Sequence, residues 1–447
     1  MKSPLDRYKI RCPIHGNIPF SDRERQIIDH PFFQRLRHIS QLGFASYVYP
    51  GATHSRFSHS LGAMHLAGVV FDHLVRSPQS CIRDQFSEDH LNYFRTILRF
   101  SALLHDCGHA PFSHSSEPVF PLRNTLDLPV KWYSKPLDMQ TRASHEDFSI
   151  AIVFALSQGS SPLLSEEESR DICSLIDHDI SPSDFFPNSS HRPFNIHPLL
   201  QRLVSGEVDV DRMDYLLRDS HYAGVSYGKF DLDRLIQGLH CTATEHGIVL
   251  TMENNVRYAY EDFLLARLHM FLQVYFHKTL LPFDFFLKQA FQERELDLQI
   301  TGDLENFLML HDDSVHSALW KVKTKKWASR IVFRKPPKRL FQFEHYHPDG
   351  LEELMIQQLK NEGIETLFLR SSRYLSKFST LPSDDANSLL IRNTVMGKTM
   401  YLPVQKVSSL LDQYRQNADL KYLYCDQENY ENARKILIPF LESRKLL

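Results

Sequence analysis

Histidine and aspartate side chains that can bind a metal recur at three places in the first half of the chain. His105 and Asp106 are adjacent in "LLHDCGHAPFSH", His59 ends the segment "SRFSH", and Asp211 lies in "VDVDRMDY". Imidazole nitrogens and carboxylate oxygens suit manganese, iron, cobalt, nickel or zinc. Three or four such ligands leave coordination positions for water and substrate, so the set predicts a catalytic metal site.

Each of these ligands lies on or beside a predicted helix. Residues 57–76 and 88–106 show the helical spacing of apolar side chains, and Gly108 is a natural stop for the second helix. We therefore expect His105 and Asp106 at a helix end, where the chain can turn and bring both toward one ion. A further helix in "SGEVDVDRMDYLLRDSHYAG" is expected to carry Asp211.

The remaining patterns predict a mainly α protein. "SHEDFSIAIVFAL" and "SEEESRDICSLI" begin with capping-box signatures, and "SDRERQIIDHPFFQRLRHISQLG" predicts a helix disturbed at Pro31. A short hairpin in "CTATEHGIVLTM" precedes a long helical region at about 254–292. After about residue 320, alternating strand, turn and helix patterns predict a small α+β lobe. The predicted units are a body over residues 1–320, with its helical core at about 50–225, and a C-terminal lobe over residues 321–447.

The composition indicates a globular protein of the cytoplasm. No apolar run is long enough to span a membrane, and the start "MKSPLDRYKIRC" lacks the apolar core of a signal peptide. Six scattered cysteines suit reduced thiols. A formal charge of −3 gives no global attraction to nucleic acid, yet residues 321–339 hold nine Lys or Arg and no acidic residue. Affinity of this basic run for phosphate or nucleic acid stays open.

These motifs together resemble the HD-domain phosphohydrolase superfamily, and within it the sterile-alpha-motif-and-HD-domain dNTP triphosphohydrolases and their bacterial, dGTPase-like relatives. The resemblance covers most of residues 9–300 through "PIHG", "DHPFFQRLRHISQLG", "YPGATHSRFSHSLG", "LLHDCGHAPFSH", "SHEDFS", "VDVDRMDYLLRDSHYAG" and "VYFHK". Because "PIHG" begins at residue 13, no sterile-alpha-motif domain is expected before it. The resemblance implies an HD helical core and hydrolysis of a dNTP at the α-phosphorus, which releases a deoxynucleoside and triphosphate.

The resemblance also implies roles for individual residues. The metal ligands would be His59, His105, Asp106 and Asp211, with Mg²⁺ accompanying the nucleotide. The reactive shell would comprise His109, His114, Glu117 and His145. In that shell, His145 backed by Glu117 is the candidate that handles the attacking water, and His109 is the candidate that protonates the departing 5′-oxygen.

Substrate contacts follow from the same resemblance. Arg56, Arg212 and Arg267 match phosphate contacts, Gln41 and Asp219 match groups that hold the sugar 3′-hydroxyl, and Tyr215 and Tyr275 match tyrosines that pack on the deoxyribose. Guanidinium groups suit phosphate because they are permanently charged and bind two oxygens at once.

An effector site is implied as well. In the vertebrate members, a guanine nucleotide at a subunit interface promotes tetramer assembly. Asp29, Gln34 and Arg37 match its contacts, which implies a GTP or dNTP effector and a homo-oligomer, either a dimer or a tetramer. Two positions depart from the pattern: Tyr8 replaces a phosphate-binding Lys, and Cys12 replaces an Asp before "PIHG".

Two other functions stay open on the sequence. The metal set alone permits a phosphodiesterase or nuclease that acts on a cyclic nucleotide or on single-stranded nucleic acid, because in-line attack on phosphorus needs the same parts. A non-enzymatic nucleotide sensor with a structural metal is the third possibility, but such a metal does not need a reactive shell beside it. Identification of the products distinguishes the three.

Overall fold

The computed structural model describes residues 7–78, 80–186, 194–245, 247–373, 389–413 and 418–446 of the 447-residue chain. Helices dominate these residues, which confirms the mainly α prediction. In chain order the α-helices are α1 (Asp22–Ile28), α2 (Pro31–Gln34), α3 (Arg56–Arg76), α4 (Glu88–Leu104), α5 (His145–Ala155), α6 (Glu166–Ile176), α7 (His197–Ser205), α8 (Val210–Ala223), α9 (Leu232–Gln237), α10 (Arg257–Met270), α11 (Leu280–Gln292), α12 (Leu304–Leu308), α13 (Asp312–Lys321), α14 (Lys326–Val332), α15 (Leu351–Asn361), α16 (Val404–Val407), α17 (Ser409–Gln413) and α18 (Tyr430–Glu442).

The strands form three small sheets among the described residues. They are β1 (Tyr8–Cys12), β2 (Gly16–Phe20), β3 (Leu239–Thr244), β4 (Gly247–Glu253), β5 (Lys338–Phe343), β6 (Thr366–Arg373), β7 (Leu390–Val395), β8 (Lys398–Pro403) and β9 (Ala418–Cys425). β1 and β2 pair as an N-terminal hairpin, the second sheet has the order β3-β4-β7-β8, and the third has the order β5-β9-β6.

Capping residues bound the helices that carry the candidate ligands, although α4 ends at Leu104 and not at the predicted stop, Gly108. Ser87 caps α4 by accepting a hydrogen bond from the backbone of His90, and His105 is the C-cap residue. Ser144 forms a capping box at the start of α5. α8 ends at Gly224, which adopts the left-handed conformation that glycine tolerates without strain. Both α4 and α8 pack against α3, so their ends meet beside its first turn.

Two predicted helices are interrupted. The segment after Ser21 forms α1, ends at Asp29, restarts as α2 with Pro31 in its first turn, and continues as a 3-10 turn over Arg35–His38. The region at 254–292 contains α10 and α11, separated by a π-helical turn over Phe271–Tyr275 and a short loop. π turns of this kind often occur at functional sites.

The C-terminal part contributes to two different sheets. β5, β6 and β9 form a sheet whose apolar residues pack with α15 and α18 around a separate small core, which is the predicted α+β lobe. The β7–β8 hairpin instead pairs in parallel with β4, and Ile391 joins the main core. The division of the chain at residue 320 stays a prediction, and that residue lies inside α13.

Candidate metal centre and active site

The four predicted metal ligands converge between α3, α4 and α8. Nε2 of His59 lies 3.0 Å from Oδ1 of Asp211 and 3.5 Å from Oδ2 of Asp106. Nε2 of His105 lies 3.4 Å from Oδ1 of Asp106 and 3.6 Å from Oδ1 of Asp211. The ligand atoms of His59, His105 and Asp211 all lie within 4.8 Å of one another. The two residues of the His-Asp pair turn toward one point because the helix ends there, as the sequence predicts.

The donor set fits a divalent transition metal. The Nδ1 atoms of both histidines donate hydrogen bonds, from His59 to Asp214 at 2.8 Å and from His105 to the carbonyl of Ala102 at 2.9 Å. Both buried Nε2 atoms make no hydrogen bond with any described residue. This arrangement directs the Nε2 lone pairs at the carboxylates of Asp106 and Asp211, which is how histidine ligands are usually held toward a metal.

The electrostatics of the centre also favour a cation. Burial opposes protonation of His59, but the nearby carboxylates of Asp211 and Asp214 outweigh it and raise the pKa of His59 to about 10. Burial alone would raise the pKa of Asp106, yet the charges of Arg56 and His105 hold it well below its ordinary range. Carboxylates that stay ionised while buried require positive charge nearby. A metal ion can supply that charge in place of the proton on His59.

A buried network behind His59 was missed by the sequence analysis. Asp214 accepts hydrogen bonds from His59, from Nε2 of His15 at 2.6 Å, and from Nε and Nη2 of Arg218, both at 2.8 Å. Gly62 lies against this network, and a β-carbon there would be 1.8 Å from Asp214. The sequence motifs already contained both residues of this network, because His15 belongs to "PIHG" and Asp214 lies three residues after Asp211.

The turn after α4 is clamped to α5. The hydroxyl of Ser149 donates to the carbonyl of His105, and it accepts a hydrogen bond from the backbone of Gly108 at 2.9 Å. A β-carbon at Gly108 would lie 2.1 Å from the carbonyl oxygen of His145, so only glycine allows this approach. The close contact places His145, the first residue of α5, beside the candidate metal ligands.

The four residues of the predicted reactive shell also come together. Oε1 of Glu117 accepts hydrogen bonds from Nδ1 of His145 and from Nδ1 of His114, the latter at 2.9 Å. The rings of His109 and His145 stack with centroids 4.0 Å apart, and Nε2 of His109 lies 3.3 Å from Asp106. The predicted shell and the candidate metal ligands therefore share the Asp106 carboxylate.

The histidines of this shell differ in their affinity for a proton. Burial acts to lower the pKa of His145, but the hydrogen bond and charge of Glu117 outweigh it and raise the pKa. Burial and the nearby charge of Arg56 lower the pKa of His109 well below its ordinary value. Near neutral pH, His145 is thus the better proton holder and His109 is neutral.

Arg56 is fixed from two sides. Its Nη1 donates to Asp106, and its Nε donates to the hydroxyl of Ser113 at 2.7 Å. Ser113 and the preceding Phe112 both have the left-handed backbone conformation, with φ values of 56° and 58°. This conformation costs a non-glycine residue about 1–2 kcal/mol. Burial of Phe112 against Phe44, with ring centroids 4.5 Å apart, offsets part of that cost.

The residues predicted to hold the sugar are grouped around Asp219. Its Oδ2 accepts a hydrogen bond from the hydroxyl of Tyr275 at 2.8 Å, and its Oδ1 lies 2.7 Å from Nε2 of His54, a residue that the sequence analysis did not single out. Tyr275 belongs to the π-helical turn, and its ring lies 6.2 Å from that of Tyr215. Oε1 of buried Gln41 accepts no hydrogen bond from the described residues.

The other two predicted phosphate contacts are buried. Nη1 of Arg212 donates to the carbonyl and the carboxylate of Glu207 at 3.0 and 3.2 Å, and its Nε lies 3.5 Å from Asp209. The Arg267 guanidinium carbon lies 5.4 Å from the ring centroid of Phe271. Arg212 is therefore held by Glu207 and Asp209, whereas Arg56 donates to the candidate ligand Asp106.

The residues matched to an effector site lie side by side on α1, α2 and the 3-10 turn that follows. Gln34 donates to the carbonyl of Ile28 at 2.6 Å and accepts from Nε of Arg37 at 2.8 Å. Asp29 is exposed and accepts from Arg25 at 3.2 Å. All of these contacts are made within residues 25–37.

The two departures from the family pattern have local partners. The Tyr8 hydroxyl donates to Asp22 at 2.9 Å and accepts from Arg25 at 3.1 Å. Cys12 is buried, with its sulfur 3.4 Å from Nη2 of Arg218. Cys12 therefore belongs to the network behind His59.

Comparison with known proteins agrees with this geometry. Residues 56–219 match the family model described as the HD domain, and this range contains all four candidate ligands. The fold is mainly helical, and His59, His105 and Asp211 at its candidate centre could hold a metal ion. Residues 56–219 of the chain therefore form an HD domain.

Relatives are similar over most of the chain. The human deoxynucleoside triphosphate triphosphohydrolase SAMHD1 is 30% identical over 364 residues, which cover 75% of this chain and 54% of that protein. An uncharacterised protein of Methanocaldococcus jannaschii is 28% identical over 373 residues, which cover 83% of this chain and 66% of that protein. The crystal structure of a Bacteroides thetaiotaomicron phosphohydrolase matches with a TM-score of 0.66 at 25% identity, over 94% of this chain and 99% of that chain.

The match to curated relatives is partial. The chain spans about half to two thirds of the length of the first curated relatives that it matches. No helix of the described residues is long and apolar enough to cross a membrane.

Proposed function

We propose that this chain is a metal-dependent triphosphohydrolase that cleaves a dNTP at the α-phosphorus and releases a deoxynucleoside and triphosphate. The observation that carries the proposal is the continuity between the metal ligands and the sugar-binding candidates. The ring of Tyr215 lies 6.5 Å from that of His59 on one side and 6.2 Å from that of Tyr275 on the other. The name of the human relative supports the same substrate class.

Two sets of residues would place positive charge at the α-phosphate. A divalent metal held by His59, His105, Asp106 and Asp211 supplies Lewis-acid charge for the α-phosphate. Arg56 adds a fixed positive charge beside it, since its guanidinium is already oriented by Asp106 and Ser113.

Proton transfer falls to the two stacked histidines. The sequence assigned the attacking water to His145 and the departing 5′-oxygen to His109. Their pKa directions favour the opposite order, because Glu117 stabilises a proton on His145 whereas burial and Arg56 keep His109 neutral. In this order His145 donates to the 5′-oxygen and His109 accepts from the water.

Selectivity for deoxyribose would come from the group around Asp219. Both of its carboxylate oxygens have partners, His54 on one and Tyr275 on the other, so its position is set before a nucleotide binds. An oriented carboxylate suits a sugar 3′-hydroxyl, and the Tyr275 ring would leave a 2′-hydroxyl in contact with an apolar face.

Product identification tests this proposal. The metal-loaded protein is incubated with each dNTP and each rNTP, with and without GTP, and the products are separated by chromatography. Deoxynucleoside and intact triphosphate are expected, and turnover should be lost in Asp211→Asn. Nucleoside monophosphate and pyrophosphate, or no turnover under any of these conditions, would contradict it.

One observation favours a second candidate, a phosphodiesterase. His109, His114, Glu117 and His145 have ligand atoms within 4.8 Å of one another, so this shell can itself hold a metal next to the first centre. Two-metal centres stabilise both the attacking and the leaving oxygen of a phosphodiester. Two tightly bound metals per chain, with hydrolysis of a cyclic nucleotide or single-stranded nucleic acid that His105→Ala abolishes, would favour this candidate.

The effector and the assembly belong to the proposal too. We infer that GTP or a dNTP binds at Asp29, Gln34 and Arg37 and promotes a homo-oligomer, dimer or tetramer. Light scattering with and without GTP, on wild type and on Arg37→Ala, tests this. A mass that does not change with GTP would contradict effector-driven assembly.

A further inference from the structure

Asp312, the first residue of α13, reaches two loops of the candidate site from a distant part of the chain. Its Oδ1 accepts a hydrogen bond from the backbone N–H of Phe112 at 2.7 Å, and its Oδ2 accepts one from the backbone N–H of Ser40 at 2.9 Å. The side chain is buried. We propose that Asp312 is a positioning residue that orients Arg56 for phosphate binding. The inference rests on the proposed function, because that function assigns the phosphate to Arg56.

A continuous path of hydrogen bonds connects Asp312 with Arg56. The carbonyl of Ser40 accepts from the hydroxyl of Ser113 at 2.6 Å, and the same hydroxyl accepts from Nε of Arg56 at 2.7 Å. A serine hydroxyl has one proton, and here it is committed to Ser40. Its lone pairs are consequently left to receive Arg56.

Both oxygens of Asp312 act on this hydroxyl. One holds Ser40, which supplies the acceptor for the Ser113 proton. The other holds Phe112, which precedes Ser113 in a turn where both residues have the left-handed conformation. A turn of this kind persists only when its surroundings determine it, so a lost anchor lets it relax. Relaxation would move the acceptor away from Arg56.

The consequence for Arg56 follows from its geometry. The described contacts use two of its five N–H donors, Nε toward Ser113 and Nη1 toward Asp106. The other donors remain for a phosphate oxygen, and their direction depends on those two contacts. Asp312 therefore acts on phosphate binding without touching the phosphate.

The test measures binding of inorganic triphosphate by calorimetry to the full-length, Mn²⁺-loaded protein, which needs no turnover. Asp312→Asn retains the shape but can accept with only one atom, so one backbone N–H loses its partner. Ser113→Ala removes the hydroxyl at the end of the path. Each variant should weaken triphosphate binding about tenfold, and the double variant should bind no more weakly than the weaker single one.

Two variants serve as matched controls. Ser115→Ala lies on the same turn, but its hydroxyl donates to Asp284 at 2.6 Å and not toward Arg56. Asp72→Asn makes the same chemical change in a carboxylate that pairs with Arg95 at 2.7 Å in another part of α3. Both should lower the melting temperature while binding triphosphate within about twofold of wild type.

Each outcome supports or overturns the inference. Wild-type affinity in Asp312→Asn, additive losses in the double variant, or an equal loss in Ser115→Ala overturns it. If Asp312→Asn does not fold, the contrast between Ser113→Ala and Ser115→Ala tests the end of the path at Arg56, and equal losses in these two variants overturn the inference. If the wild-type protein binds triphosphate but does not hydrolyse dNTPs, only the proposed function is contradicted. If the wild-type protein binds no triphosphate, both the role of Arg56 and this inference are overturned.

Discussion

Replacing Gly62 with alanine is expected to weaken metal binding while the helical core stays folded. The new methyl group would lie 1.8 Å from Oδ1 of Asp214 and 2.5 Å from Nη2 of Arg218. Ordinary contact begins at 3.4 Å, so Oδ1 of Asp214 would have to retreat by about 1.6 Å. The hydrogen bond from Nδ1 of His59, now 2.8 Å long, would then exceed hydrogen-bonding distance. His59 would lose the partner that directs its Nε2 at the metal.

The expected size follows from this loss. Removal of a hydrogen-bond partner behind a histidine ligand lowers metal affinity about 10–100-fold. Overpacking costs about 1–3 kcal/mol of stability, and the gain of about 1 kcal/mol from replacing a helical glycine offsets part of it. The protein should therefore fold and bind metal weakly.

Manganese titration of chelator-stripped protein, with free Mn²⁺ followed by electron paramagnetic resonance, measures the affinity. Gly68→Ala is the matched control, because it lies in the same helix and its methyl group would meet Nη1 of Arg99 at 2.6 Å, away from the metal ligands. It should lower the melting temperature but leave the manganese affinity unchanged. An unchanged affinity in Gly62→Ala, or an equal loss in Gly68→Ala, would refute the reasoning.

Three further outcomes are expected. Replacing His54 with Phe removes the contact with Asp219 and should lower kcat/KM for dNTPs about tenfold. The amide of His54→Gln can still donate to Asp219, so this variant should keep the wild-type kcat/KM, and equal losses in both variants would argue against orientation by that hydrogen bond. Glu117→Gln should lower the pKa of His145. If His145 donates the proton, the alkaline limb of the pH–rate profile should move to lower pH, whereas movement of the acid limb would show that His145 acts as the base. Burial raises the pKa of Asp284 to about 6, so the free energy of unfolding should fall as pH rises from about 4 to 6 and this carboxyl loses its proton. Asp284→Asn should remove this dependence from denaturant unfolding measured across that range, and an unchanged dependence on pH would contradict the prediction.

Much of the ligand-bearing core could be predicted because its signals are local. Ser144 is a capping residue whose partner lies within one turn, and Gly224 ends α8 in the left-handed conformation, whereas α4 ends at Leu104, ahead of the predicted stop at Gly108. The adjacent histidine and aspartate then had to lie at a helix end. Local chemistry was sufficient for these positions.

The rest depends on contacts between distant parts of the chain. Asp214 and His15 are 199 residues apart, and Asp312 and Ser40 are 272 residues apart. No periodicity within one segment reveals such pairs. The π-helical turn that carries Tyr275 was also missed, because its apolar spacing resembles that of an ordinary helix.

The parallel pairing of β7 with β4 has a consequence for how the protein is made. Thr251 pairs with Leu390, so a strand synthesised midway must wait for about 140 more residues before its neighbour exists. Until then its edge is open to other chains, which is a recognised route to aggregation. This sheet is therefore completed late in synthesis, and a nascent chain that stops before residue 390 leaves the edge of β4 exposed.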